Sequence, residues 1–173
     1  KSLMILIPTG WVLVGRWNLK EIVDRWALRF RLRDLLWGLG TGLTISLAIL
    51  ALYALFFRHR LDAQGIVSTL PTYLIDHFWL SAFGVSFANS LLEEYFWRAF
   101  VLERTAIRLG WGKAAFLNGL LFGVHHWFLL SCFFPPLIAA TLTFGTIAGG
   151  WIWSSMRKKG LSIWSCHLSH ILA

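Results

Sequence analysis

Residues 35–57 read LLWGLGTGLTISLAILALYALFF, twenty-three consecutive positions without a charge. At a rise of about 1.5 Å per residue, a helix of that length crosses the roughly 30 Å hydrocarbon core of a bilayer. The composition agrees. The chain of 173 residues is 57% hydrophobic and only 14% charged, where soluble domains carry about a quarter charged residues. The formal charge of +8 raises the question of nucleic-acid binding. The cations, however, fall in connections between apolar runs, which is the pattern of membrane topology and not of one basic binding face. The expectation is an all-α, polytopic transmembrane bundle with lipid around it and no nucleic-acid partner. Cys132 and Cys166 are far apart and form no CxxC motif, so they imply neither a disulfide framework nor a cysteine zinc site.

Upstream of this run, Leu3 to Val14 is apolar but short. Residues 15–34 hold six cations (Arg16, Lys20, Arg25, Arg29, Arg31, Arg33) interleaved with Trp17, Trp26, Leu28 and Phe30, the pattern of an interfacial amphipathic segment. Downstream, residues 58–76 read as a polar connection. Further helices are predicted from Phe78 to Leu102, from Ala114 to Phe134 up to the Pro135-Pro136 stop, from Leu137 to Met156, and from Leu161 onward. Lysines and arginines number six in 15–34, four in 98–113 and three in 155–160, against two in the alternate connections (Arg58, Arg60). That asymmetry places 15–34, 103–113 and 155–160 in the cytoplasm. Residues 1–173 are expected to form a single membrane domain whose chemistry lies in 78–173. A first residue Lys1 and an apolar end at Ala173 suggest an excerpt of a longer chain.

The second predicted helix contains LLEEYFWRAF, residues 91–100. A carboxylate at membrane depth costs at least about 2.5 kcal/mol and therefore faces a bundle interior or water. Glu94 precedes Arg98 by four residues, the favourable order for an ion pair on a helix. Glu93 is left on the adjacent face, near Asn89 and without a partner predicted in its own helix. Asn118, Phe122 and His126 share one face of the next helix, and His167 and His170 lie in the last. Counted along each helix, Glu93, His126 and His170 lie roughly 14, 18 and 14 Å from the cytoplasmic ends, a common level.

Three elements, Glu93-Glu94-x-x-x-Arg98, Phe122-x-x-x-His126 and a histidine in a final apolar helix, resemble the CAAX-protease and bacteriocin-processing family, which includes the type II CAAX prenyl proteases. The resemblance covers residues ~78 to 173. It implies an eight-helix-like intramembrane fold and an endopeptidase with a glutamate and two histidines around a water. Glu93 would be the general base, His126 the second-motif histidine and His170 the third. Glu94, Arg98, Phe122 and His167 would support them. The family's last histidine is followed four residues later by Asn or Asp. Ile171 follows His167 at that spacing, whereas the partner of His170 would fall just beyond Ala173.

Desolvation makes a glutamate an effective base for a water nucleophile. His126 and His170 could act by hydrogen bonding or could hold a divalent metal such as zinc, and the sequence leaves both open. The expected substrate is a peptide or lipidated protein. Two rival readings stand beside the protease. One is a non-catalytic scaffold or immunity protein of the same fold. The other is a proton-coupled transporter, ranked last because Phe78 to Ala82 and Phe128 to Phe134 offer few polar groups to a relay. The tryptophans at 97, 111, 127, 151, 153 and 164 read as interfacial belts and packing, and the helix glycines as close-packing sites.

Overall fold

The computed structural model describes residues 2–16, 18–59 and 72–173. Among them the chain is helical, with no strand. The helices are α1 (Ser2–Val14), α2 (Leu19–Arg25), α3 (Leu32–Leu52), α4 (Thr72–Asp76), α5 (Phe78–Glu93), α6 (Leu102–Phe133), α7 (Pro136–Lys158) and α8 (Ile163–Leu172). Wider π-helical turns extend α3 over Tyr53–Phe57 and join α5 to α6 over Glu94–Val101. Among the described residues three stretches are long and apolar enough to cross a membrane: Leu32–Phe57, Phe78–Phe133 and Pro136–Lys158. The second is two helices in one. Gly110 (φ +74°, ψ 155°) breaks it with a conformation that side-chain-bearing residues rarely adopt. The chain then doubles back, so that Asn118 donates to the Trp97 carbonyl at 3.0 Å. Most of the predicted connection 58–76 lies outside the described residues.

Between apolar helices in lipid the hydrophobic effect provides little drive, so close backbone approach decides the packing. Two glycine pairs at four-residue spacing provide it here. On α3, a Cβ at Gly38 would lie 2.9 Å from the Ser165 carbonyl, and one at Gly42 would lie 2.9 Å from the Leu172 side chain. This seats α8 on α3. On α6, a Cβ at Gly119 would lie 2.7 Å from the Trp151 amide, and one at Gly123 would run into Ile147. Gly150 answers from α7, where a Cβ would meet Phe122 at 3.0 Å. The opposite face of α3 exposes Leu36, Leu43, Leu47 and Leu50, as a lipid-facing surface does.

Within the basic segment, helix covers Leu19–Arg25 and begins again at Leu32. Asn18 and Glu21 form a reciprocal cap that starts α2, and the helix stops after seven residues at Trp26. Ala27 adopts φ +48°, and Trp26 turns inward against Tyr95, with ring centroids 4.8 Å apart. An indole expected at the membrane interface is thus part of the core. Asp34, an acid at the edge of its span, is fully buried. It accepts from the Arg31 amide at 2.9 Å, capping α3, and from the Ser162 amide at 2.7 Å, fixing the start of α8. Arg31 and Arg33 both donate to the Gly160 carbonyl, at 2.6 and 2.9 Å. The connections around 31–34 and 159–162 therefore share one face of the bundle.

Candidate active site

Eight residues of π-helix, Glu94–Val101, carry Glu94 and Arg98, and Glu93 immediately precedes them. The i→i+5 turn is wider than an α-turn, so successive side chains splay less around the axis. Glu93, the last α-helical residue, and Glu94, the first π-helical one, can thereby both reach α8. Asn118 holds this segment from α6: its amide nitrogen bonds the Trp97 carbonyl, and its oxygen accepts from Ser154 at 2.9 Å.

Glu94 and Arg98 are both fully buried, with Oε1 and the nearest guanidinium nitrogen 3.1 Å apart. The predicted pair therefore forms, as an electrostatic contact without hydrogen-bond alignment. The guanidinium carbon lies 4.3 Å from the centre of the Phe122 ring and 5.0 Å from that of Trp153, so aromatic faces supply further stabilisation of the cation. Glu94 has a second task that the sequence did not reveal. Its Oε1 also lies 3.0 Å from His170 Nδ1.

Glu93 is 1% exposed. Contrary to the expectation from sequence, it has a partner in its own helix, because Asn89 Nδ2 donates to its Oε1 at 3.0 Å. The other oxygen, Oε2, lies 3.8 Å from His126 Nε2 and 3.8 Å from His170 Nε2. His126 Nδ1 faces the Phe122 carbonyl at 2.9 Å, and His170 Nδ1 faces the Glu94 carboxylate. Both partners only accept, so each ring carries its proton on Nδ1 and, when neutral, turns the Nε2 lone pair toward Glu93. The three side chains that sequence placed at one depth thus meet at one point, from α5, α6 and α8.

The remaining expected residues are close by. Phe122, 1% exposed, packs its ring 4.4 Å from His126 and 5.8 Å from His170. His167 is buried one turn away; its Nδ1 shares a hydrogen bond with Ser90 Oγ at 3.0 Å, and its ring meets the Phe87 edge. His125 lies beside Trp97 and His126, with ring centroids 6.0 and 5.3 Å away. Sequence put Asn89 near Glu93 but gave neither it nor Trp153 a part in the site. Trp153, read among the belt and packing tryptophans, is 4% exposed and stacks on His170.

A sequence model of the type II CAAX prenyl endopeptidase Rce1-like family matches residues 75–173. The chain belongs to this family. The match covers α5 to α8 and so contains every residue of the site above, while α1 to α3 lie outside it. Neither the curated proteins nor the solved structures give a match. Family membership brings CAAX-protease-type chemistry, and with the three apolar stretches it makes the chain an integral membrane protein.

A divalent metal on His126 and His170 has less support. Among the described residues no group of three or more His, Cys, Asp or Glu side chains is arranged to hold a metal ion. Tetrahedral zinc with bonds of about 2.0–2.1 Å sets neighbouring donors about 3.3–3.4 Å apart. The 3.8 Å separations from Glu93 to the two histidines are wider than that. Glu93 Oε2 thus stands farther from each histidine nitrogen than neighbouring zinc ligands do, and the chemistry proposed here uses no metal.

Proposed function

We propose that the chain is an intramembrane endopeptidase that cleaves a peptide bond of a membrane-associated or lipidated protein by glutamate-activated water. One observation carries the reading: a desolvated carboxylate oxygen stands 3.8 Å from each of two inward-turned imidazole nitrogens. That spacing is too long for a direct hydrogen bond and suits one bridged by water. The water donates one proton to Glu93 Oε2 and the other to His126 Nε2, leaving its lone pair for the substrate carbonyl. Asn89 holds the other oxygen of Glu93, so the accepting oxygen stays aimed. His170, when it carries both protons, keeps Nδ1–H on Glu94 and offers Nε2–H to the developing oxyanion as a charge-assisted donor. Glu93 then returns its proton to the departing amine, and the C–N bond breaks.

With the buried Arg98 set aside, twelve cations in 15–34, 103–113 and 155–160 support a cytoplasmic position for those loops. Contacts between Arg31, Arg33 and Gly160 put two of the three on a shared face. Substrate would therefore approach from the cytoplasmic side or from the lipid.

The test compares full-length wild type with Glu93→Gln, His126→Ala and His170→Ala in membranes, using a reporter-peptide library that includes lipidated members. Cleavage by wild type alone, with folded yield intact in all four, supports the mechanism. Cleavage that survives Glu93→Gln excludes Glu93 as the base.

A further inference from the structure

A single hydrogen bond fixes a point on an imidazole, not its plane. His170 could pivot about its Nδ1 contact with Glu94 and swing Nε2 away from Glu93. Trp153 on α7 removes that freedom. Its indole lies over the imidazole with centroids 4.1 Å apart and planes 25° from parallel, while the Phe122 ring stands at 77° to His170 with its centroid 5.8 Å away.

The indole is itself held. Trp153 Nε1–H donates to Ser169 Oγ at 2.9 Å, and Ser169 Oγ shares a hydrogen bond with Thr41 Oγ1 at 3.0 Å. The Thr41 hydroxyl points toward Ser169 Oγ at 3.0 Å and toward the Trp37 carbonyl at 2.6 Å, so its one proton is shared between the two acceptors. Ser169 Oγ thus accepts from both the α7 indole and the α3 hydroxyl, which ties α7, α8 and α3 together at one oxygen. Trp153 and Ser169 are 4% and 0% exposed, so the bond between them is shielded from water. A residue that only filled space between Phe122 and Met156 would need neither the indole nitrogen nor a hydroxyl on α3.

We propose that Trp153, anchored through Ser169 by Thr41, is a positioning residue that sets the plane of the His170 ring. Its kinetic consequence rests on the protease reading above; its geometric content does not. It also assigns α3, which lies outside the family match, a part in shaping the site.

The experiment uses full-length protein in lipid nanodiscs, with Thr41→Val, Trp153→Phe and the double variant. Valine replaces threonine at nearly equal volume, and phenylalanine keeps a ring without the N–H. Misplacing a catalytic group by about 1 Å costs on the order of 100-fold; loss of one anchor with the stack retained is expected to lower kcat about 10-fold. KM stays unchanged, and the double variant falls no further than the worse single, because both changes act through the same Ser169 oxygen. A kcat within twofold of wild type in folded Thr41→Val overturns the proposal, as do multiplicative losses in the double variant. Proton NMR of the His170 ring provides a reading independent of cleavage. The stacked indole shifts these protons upfield in wild type, and Thr41→Val reduces the shift. An unchanged shift in Thr41→Val overturns the proposal even if no substrate is ever cleaved, whereas a wild type that cleaves nothing counts against the protease reading alone.

Discussion

Glu94 serves Arg98 and His170 with one oxygen, at 3.1 and 3.0 Å, and the two roles can be separated by experiment. Replacing Glu94 by Leu removes the carboxylate that lies 3.1 Å from the buried Arg98 guanidinium. Removing one partner of a buried pair costs about 3–5 kcal/mol. For a chain of this length that corresponds to a fall in melting temperature on the order of 10 °C. Arg98→Met costs less, because Glu94 keeps His170 as a partner. Replacing both residues removes both desolvation penalties, and such exchanges range from neutral to stabilising by about 1–4 kcal/mol. The double variant Glu94→Leu with Arg98→Met is therefore expected to melt within a few degrees of wild type. It is nonetheless expected to lose cleavage by at least about 100-fold, the typical contribution of a positioned acid–base group. With no acceptor at Nδ1, the His170 proton is free to move to Nε2, and neither tautomer nor orientation is held. Thermal unfolding in detergent and peptide cleavage, measured on the same preparations, test this. A stable double variant that cleaves at the wild-type rate would refute the orienting role of Glu94. A double variant as unstable as Glu94→Leu alone would refute the buried-charge argument.

The glycine seam between α6 and α7 predicts a graded stability series. Gly123→Ala drives a Cβ into Ile147 and is expected to cost about 1–3 kcal/mol, whereas Gly145→Ala, with open space around the position, stays within about 0.5 kcal/mol of wild type. Equal melting temperatures for the two would count against the seam. Because the donor spacing around Glu93 is wider than zinc requires, cleavage by the full-length protein is expected to persist after prolonged incubation with a strong chelator. Loss of cleavage that added zinc restores would show that the donors close around a metal.

Depth arithmetic on three helices anticipated the meeting of Glu93, His126 and His170, because helical rise is nearly invariant and short loops force neighbouring helices to run antiparallel. It could not anticipate the π-helical segment. A switch from i→i+4 to i→i+5 bonding leaves no mark in hydrophobic periodicity over eight residues, yet it brings Glu94 as well as Glu93 to α8. Asn89 stood in plain view one turn before Glu93, but whether an amide donates to a neighbouring carboxylate depends on rotamers that sequence does not fix. The tryptophans were harder to place for a related reason. Indoles serve interfaces, cores and polar anchors equally well, so Trp26 and Trp153 could not be told from belt residues by type or spacing. Trp26 is buried by the turn at Ala27, and Trp153 by the glycine seam that draws α7 against α6.

What sequence concealed most fully is the dependence of the site on α3. Read alone, residues 35–57 are an uncharged span whose glycines read as close-packing sites with no partner named and whose hydroxyls look incidental. In the fold, Gly38 and Gly42 let α8 lie directly on this helix, and Ser46 bonds the Leu172 carbonyl. Thr41 reaches Ser169, the residue next to His170. Asp34, at the start of the same helix, fixes the amide of Ser162 and with it the entry of α8. The histidine that faces Glu93 is therefore placed at both ends of its short helix by residues more than a hundred positions earlier. The family pattern in 75–173 names the reacting groups, but the platform that holds α8 in register lies in α3.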